Sequence, residues 1–279
     1  VITFLIVFIV AAIVLRMPIS FSMGATAITM FAILGLSKSF IGQALYLSLD
    51  NFAFLAVPFF VFAGGLMQYS GISHSLINLI DSIAGRVRAS LGTVTVLSSM
   101  AFGLLTGSNL ATLSTIGSIM IPEMKKKGYK SSYSGALAAA CSFLGTFIPP
   151  SVPGIMYAIT AGEKVSEVWL STVVPGIMFG LSYIIYNTGT QWNTEKKTHI
   201  DNVTFGKYFN RVGKQTVMSF PALLMPIIIF GGIYGGIFTA TEAGAVSVCY
   251  GIAFYLIKKH MKHKEEINKS LWNIAKDSM

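Results

Sequence analysis

The chain has 279 residues, 53% of them hydrophobic and only 11% charged, with a formal net charge of +9. Soluble domains carry about 25% charged residues, so the composition excludes a soluble globular protein and defines an integral membrane protein. In a soluble chain such a charge would point to nucleic acid; here the basic residues cluster between apolar segments, a topology signal that excludes a DNA surface.

Residues 1–15 form the first apolar run, closed by Arg16-Met17-Pro18. No basic region precedes it and no small-residue cleavage site follows it, so it reads as a membrane helix and not as a cleavable signal. Residues 19–36 form a looser second run, and 37–51 are mixed and interfacial, with Asp50 placed to cap the segment from Asn51 onward. The third run, 52–67, carries Pro58 as a kink and Gly64-Gly65 as a point of close helix contact. In residues 71–88, Ile72, Leu76, Leu79, Ile80 and Ile83 recur at helical spacing against Ser73, His74, Asn78 and Asp81. That pattern predicts an amphipathic helix on the inner membrane surface.

The stretch 90–124 is apolar enough for a bilayer, yet Thr106-Gly107-Ser108-Asn109 breaks it in the middle. A spanning helix needs about 20 mostly apolar residues, and the halves 90–105 and 110–121 are both shorter. Arg86 and Arg88 precede the stretch and Lys125, Lys126, Lys127 and Lys130 follow it, so both ends favour the cytoplasmic face. The expectation is a re-entrant hairpin with its polar tip at midplane depth, where irregular backbone is tolerated only in protein or against water. A second interrupted segment, 133–161, breaks at Ile148-Pro149-Pro150-Ser151-Val152-Pro153, where three prolines remove three amide donors. Residues 167–186 form a further span, 188–215 a polar basic cytoplasmic connector, 218–238 and 241–257 a helix pair, and 258–279 a basic tail. With the hairpin re-entrant, all of the 20 Lys and Arg except Lys38 and Lys164 fall inside, and the N-terminus lies outside.

An odd number of crossings separates the first segment from residue 218, so a second copy of the opening helix pair would be inverted. Inverted repeats with broken helices are the architecture of secondary transporters. The expected fold class is therefore an all-α polytopic membrane protein with inverted repeats, the second incomplete. Residues 1–51 would be scaffold helices, 52–187 the transport region, 188–215 the connector, and 216–279 the scaffold pair and tail opening the second repeat.

The tip residues Thr106, Gly107, Ser108 and Asn109 offer the oxygen ligands that a hard cation such as sodium takes. The break from Gly145 through Pro149, Pro150 and Ser151 exposes backbone carbonyls at the same depth, so the two interruptions are expected to form one cation site. Half-helix ends add carbonyls suited to a cation and amides suited to a carboxylate. The competing readings are a packing hairpin whose small residues let helices approach, and a plain proline kink. Glu242 is an acid near an apolar interior, but Thr239-Ala240-Thr241-Glu242 has capping-box spacing, which favours a helix cap over a proton carrier. Cys141 and Cys249 read as buried small hydrophobes. No catalytic constellation or metal cluster is present, so no enzyme is expected.

These residues resemble a known family. Gly103-Leu104-Leu105-Thr106-Gly107-Ser108-Asn109, Ile116-Gly117-Ser118-Ile119-Met120-Ile121-Pro122, Gly128-Tyr129, Ile148-Pro149-Pro150-Ser151, Pro175-Gly176 and the stretch from Gly236 to Ala243 are similar to the large membrane subunit of TRAP (tripartite ATP-independent periplasmic) transporters. The usual Ser-Gly-Ser of the tip reads Thr106-Gly107-Ser108, and Asn109 replaces a commonly small residue. The family's Thr-Pro-Thr-Glu reads Thr239-Ala240-Thr241-Glu242. The resemblance implies a sodium-driven, elevator-type importer in the bacterial inner membrane, with a periplasmic N-terminus. Its partners would be a periplasmic substrate-binding protein, a small four-helix membrane subunit, separate or fused, and membrane lipid. Its cargo would be a C4-dicarboxylate, sialic acid or similar carboxylated solute. The family's large subunit also has a second hairpin and a second broken helix, so this chain is expected to hold about half of the sites. A channel and a membrane scaffold without coupled transport are the alternative classes; a channel would want a ring of like charges or carbonyls from an oligomer.

Overall fold

The computed structural model describes residues 6, 8, 10, 11, 14–35, 37–85, 89–192, 194, 205–261, 272, 274 and 276, with helices and no strand among them. Two compact units are present, Val1–Asn51 and Phe52–Met279. Arg86, Arg88 and the lysines from Lys196 to Lys197, on which part of the orientation argument rests, lie outside the described residues.

In the first unit, Pro18 precedes α1 (Ile19–Ile33), and Gly35 ends it at φ 64, a left-handed position that costs glycine nothing. Ser22, Thr26 and Thr29 turn their hydroxyls back onto carbonyls one turn earlier, at 3.1, 2.6 and 3.0 Å, so the polar groups are satisfied within an apolar helix. α2 (Lys38–Leu49) follows, and the Phe31 and Phe40 rings meet at 5.7 Å. Asp50 closes α2, its amide bonded to the Tyr46 carbonyl at 2.9 Å, so it ends a helix and does not start one.

The second unit opens with a 3-10 turn (Phe52–Leu55) leading into α3 (Ala56–Tyr69). Pro58 falls in the first turn of α3, where a missing N–H breaks no bond of that helix. α4 (Ile72–Ala84) is the expected amphipathic helix, but its face of Ile72, Leu76, Ile77, Leu79 and Ile80 is buried, and α4 packs on α5 (Ser90–Thr106) and α11 (Phe205–Tyr234). That face is covered by protein; Ile83 alone of the predicted stripe stays exposed.

α5 is the centre of the unit. It packs against α3, α4, α6 (Asn109–Lys126), α7 (Ser131–Ser142), α8 (Leu144–Phe147), α10 (Val165–Gln191) and α11. It is buried on every side, from Gly92, Val94 and Val96 to Ser98, Phe102 and Leu105. In lipid, apolar area gives little drive for helix association, and small residues that let backbones approach supply it instead. A Cβ on Gly64 of α3 would stand 2.9 Å from the Thr106 Cα, and one on Gly103 would stand 2.6 Å from the Gly145 Cα. The close contact expected of Gly64-Gly65 is therefore with the end of α5.

α5 and α6 form a hairpin. The Thr95 hydroxyl, near the start of α5, reaches the Met124 sulfur near the end of α6 at 3.6 Å, which fixes the two arms antiparallel. The second arm runs through Pro122 to Lys126, further than the sequence expectation of 121. The interrupted segment is resolved into α7, α8 and α9 (Val152–Ala161), bent by 45° at the prolines, and the Pro149–Pro150 peptide is cis. α10 is 27 residues long. α11 begins at Phe205, inside the predicted connector, and α12 (Ala240–Met261) packs along α3. Among the described residues, four helices are long and apolar enough to cross a membrane, or five with the bent pair. Cys141 is buried as expected, but Cys249 is exposed on α12, which corrects that reading.

Candidate functional site

The hairpin tip is a two-residue turn. Gly107 is left-handed at φ 58, and its amide bonds the Gly103 carbonyl at 2.9 Å, which closes α5. Ser108 is extended and caps α6, its hydroxyl accepting the Ala111 amide at 3.3 Å. The proline break repeats this local structure: Ser151 is extended and its hydroxyl accepts the Gly154 amide at 3.2 Å, capping α9. Two helix N-termini thus begin at two matching serines.

Tip and break are pressed together. A Cβ on Gly107 would lie 2.2 Å from the Pro150 carbonyl oxygen, and one on Gly145 would lie 2.1 Å from the Thr112 hydroxyl and 3.2 Å from the Ser108 carbonyl. Only glycine at both places allows this approach. The carbonyls of the two capping serines are both doubly bonded. Ser108 O accepts the Thr112 amide at 3.1 Å and the Thr112 hydroxyl at 2.8 Å. Ser151 O accepts the Ile155 amide at 3.1 Å and the Trp169 indole N–H at 3.2 Å.

A cavity of about 340 Å³ opens over the junction, lined by Thr106, Gly107, Ser108 and Asn109 of the tip. The predicted break residues Gly145, Pro149, Pro150 and Ser151 are not in its lining. Gly145 and Pro150 buttress the tip from behind, and the break reaches the cavity through Thr146, Val152 and Pro153. Gln68 and Tyr69, from the end of α3, complete the polar lining, and sequence reasoning passed over them because the apolar run ends at Met67. Gln68 donates to the Thr115 hydroxyl at 3.0 Å, a bridge from α3 to α6. The Thr146 hydroxyl is buried and has no hydrogen-bond partner. A polar group left so costs about 1–3 kcal/mol, and this oxygen is covered rather than open to the cavity. No charged side chain lines the cavity, and no cluster of three or more His, Cys, Asp or Glu exists among the described residues.

Glu242 forms the capping box. Its carboxylate accepts the Thr239 amide at 2.8 Å and the Thr239 hydroxyl at 2.9 Å, while its own amide donates to that hydroxyl at 3.3 Å. It therefore caps α12, as its spacing suggests.

A multi-helix membrane protein with two broken segments meeting at a neutral polar cavity has the form of a solute permease. Comparison with known proteins agrees: residues 5–279 match the family described as "Tripartite ATP-independent periplasmic transporter, DctM component", and the chain belongs to that family. It is 34% identical to the sialic acid TRAP transporter large permease protein SiaM of Vibrio cholerae, over 85% of this chain and 54% of that protein. It is 33% identical to the isethionate TRAP transporter permease protein DctMQ of Oleidesulfovibrio alaskensis (86% and 37%). Identity to the C4-dicarboxylate TRAP transporter large permease protein DctM of Rhodobacter capsulatus is 29% (88% and 58%). The chain thus spans between 37% and 58% of the length of these three relatives.

Proposed function

We propose that this chain builds the first half of the solute and sodium sites of a sodium-coupled TRAP importer in the bacterial inner membrane, with its N-terminus periplasmic. The observation that carries the reading is the seating of the tip at Gly107 on the break at Pro150, under a cavity lined by neutral oxygen-bearing groups. Sodium takes hydroxyl, amide and carbonyl oxygens. The Ser108 hydroxyl and the Asn109 side chain are the groups that would hold it, with Gly145, Pro149, Pro150 and Ser151 shaping the seat. The doubly bonded Ser108 and Ser151 carbonyls are left to structure. The N-termini of α6 and α9 favour a carboxylate nearby, which suits an organic acid such as a dicarboxylate, sialic acid or sulfonated relative. A periplasmic binding protein delivers the solute and a small membrane subunit completes the assembly. The hairpin and the broken segment form the moving part of an elevator, and 216–279 opens the inverted second repeat.

The test is uptake by the full-length permease with its partner subunits in proteoliposomes. An imposed inward sodium gradient is expected to drive accumulation above equilibrium. Solute entry that only equilibrates, with or without sodium, would refute coupling and favour a channel.

A further inference from the structure

α10 is anchored at both ends, once to the proline break and once to the base of the hairpin. Near its start, Trp169 is fully buried and donates its indole N–H to the Ser151 carbonyl at 3.2 Å. Its ring lies in the space that Gly154 leaves, where a Cβ would come within 3.0 Å, and Phe60 meets it edge-on at 5.5 Å. Near the other end, Asn187 is fully buried in the apolar packing. Its Nδ2 donates to the Ala89 carbonyl at 2.9 Å and its Oδ1 accepts from the Tyr133 hydroxyl at 3.1 Å. Because a carbonyl can only accept, the Ala89 contact fixes which way the amide faces. The side chain occupies the space of the missing side chain at Gly92, whose Cβ would fall 1.9 Å from Oδ1. Ala89 is itself left-handed at φ 54, a conformation that costs a residue with a Cβ about 1–2 kcal/mol. It is held at the point where the hairpin begins.

Eighteen residues of helix span at most about 27 Å, and Pro175 lies between the two anchors. Between them, Gly180 meets Met100 of α5 and Gly176 meets Ile148 of the break. We infer that α10 is a strut: Trp169 and Asn187 are positioning residues that together hold the proline break in register with the hairpin tip. This rests on the reading of tip and break as one cation-binding site, but neither residue lines the cavity.

The test reads geometry and not transport. In the full-length permease carrying Cys249→Ser, a cysteine at Ala111, which lines the cavity, is labelled with a small thiol reagent, with and without sodium. Trp169→Phe removes the indole N–H together with part of the buried ring; Asn187→Leu removes the distant anchor; Tyr133→Phe, the mildest change, removes only the hydroxyl that donates to Asn187 and meets Thr190. Trp169→Phe and Asn187→Leu are expected to raise the labelling rate by at least about five-fold, the factor that one net hydrogen bond implies, and Tyr133→Phe by less, with melting temperature retained in Tyr133→Phe. A rise in Trp169→Phe alone, with Asn187→Leu and Tyr133→Phe unchanged, would overturn the strut, and so would no change in any of the three. Protection of the parent by sodium reports the cation reading separately: absent protection with raised labelling in the variants would keep the strut and remove the cation.

Discussion

Gly107→Ala separates the backbone role of the tip from its contact with the break. The substitution has two costs. The left-handed φ of 58 penalises a Cβ by about 1–2 kcal/mol. The new Cβ would also stand 2.2 Å from the Pro150 carbonyl oxygen, whereas ordinary contact begins at 3.4 Å. Backbone sits on both sides of this contact, so no side chain can swing away, and the tip and break must part by about 1 Å to restore normal separation. Gly162→Ala is the control, because Gly162 has φ 72 with nothing within 4 Å of a Cβ. Both variants carry the left-handed φ cost, but Gly107→Ala should lose more thermal stability, and it alone should displace the site. Misplacement of about 1 Å in a binding constellation costs on the order of 10²-fold in rate, so sodium-dependent uptake should fall by about that factor in Gly107→Ala and stay near the parent level in Gly162→Ala. Equal uptake by the two variants at matched expression would refute the claim that tip and break work as one site.

Gln68→Ala should raise the solute concentration for half-maximal uptake by about five-fold, and Thr115→Val, which frees the amide without entering the cavity, should reproduce part of the shift; unchanged half-saturation in Gln68→Ala would take it out of the site. Glu242→Gln should leave the pH dependence of uptake unaltered, since the carboxylate is committed to the Thr239 cap; a lost pH dependence would restore the proton-carrier reading. Single cysteines at Arg86 and Lys126 should be labelled only from the cytoplasmic side and one at Lys164 only from outside, whereas labelling of Arg86 and Lys126 from opposite faces would contradict a re-entrant hairpin.

The two interruptions were legible because glycine and proline state their backbone consequence directly: Gly107 supplies a positive φ, and three prolines within six residues withhold the donors that a helix needs. The Glu242 cap was legible for the same reason, a short-range hydrogen-bond pattern written in adjacent residues. Gln68 was not, since its role depends on α3 ending beside α6, a contact 47 residues apart in the chain. The first turns of α11 were missed because hydropathy marks where lipid begins, not where a helix begins, and residues such as Lys207 and Arg211 continue a helix beyond the apolar stretch. Asp50 misled because aspartate favours helix N-caps, whereas here it follows the last turn of α2. The apolar stripe of α4 was correctly placed on one face; that protein and not lipid covers it is a tertiary fact.

The most direct test of the joint cation site is the sodium dependence of uptake in Ser108→Ala and Ser108→Gly. The structure shows why both are needed: the Ser108 hydroxyl also caps α6 through the Ala111 amide. Alanine at an N-cap costs about 0.5–2 kcal/mol, whereas glycine costs a few tenths. Ser114→Ala is the control, its exposed hydroxyl bonded only to the Ala111 carbonyl at 3.1 Å; Thr115 is unsuitable because it holds Gln68. Both Ser108 variants are expected to need more sodium for half-maximal uptake, while Ser114→Ala is not. Parent-like sodium dependence in Ser108→Gly would contradict the joint cation site, reducing Ser108 to a helix cap and the hairpin to packing.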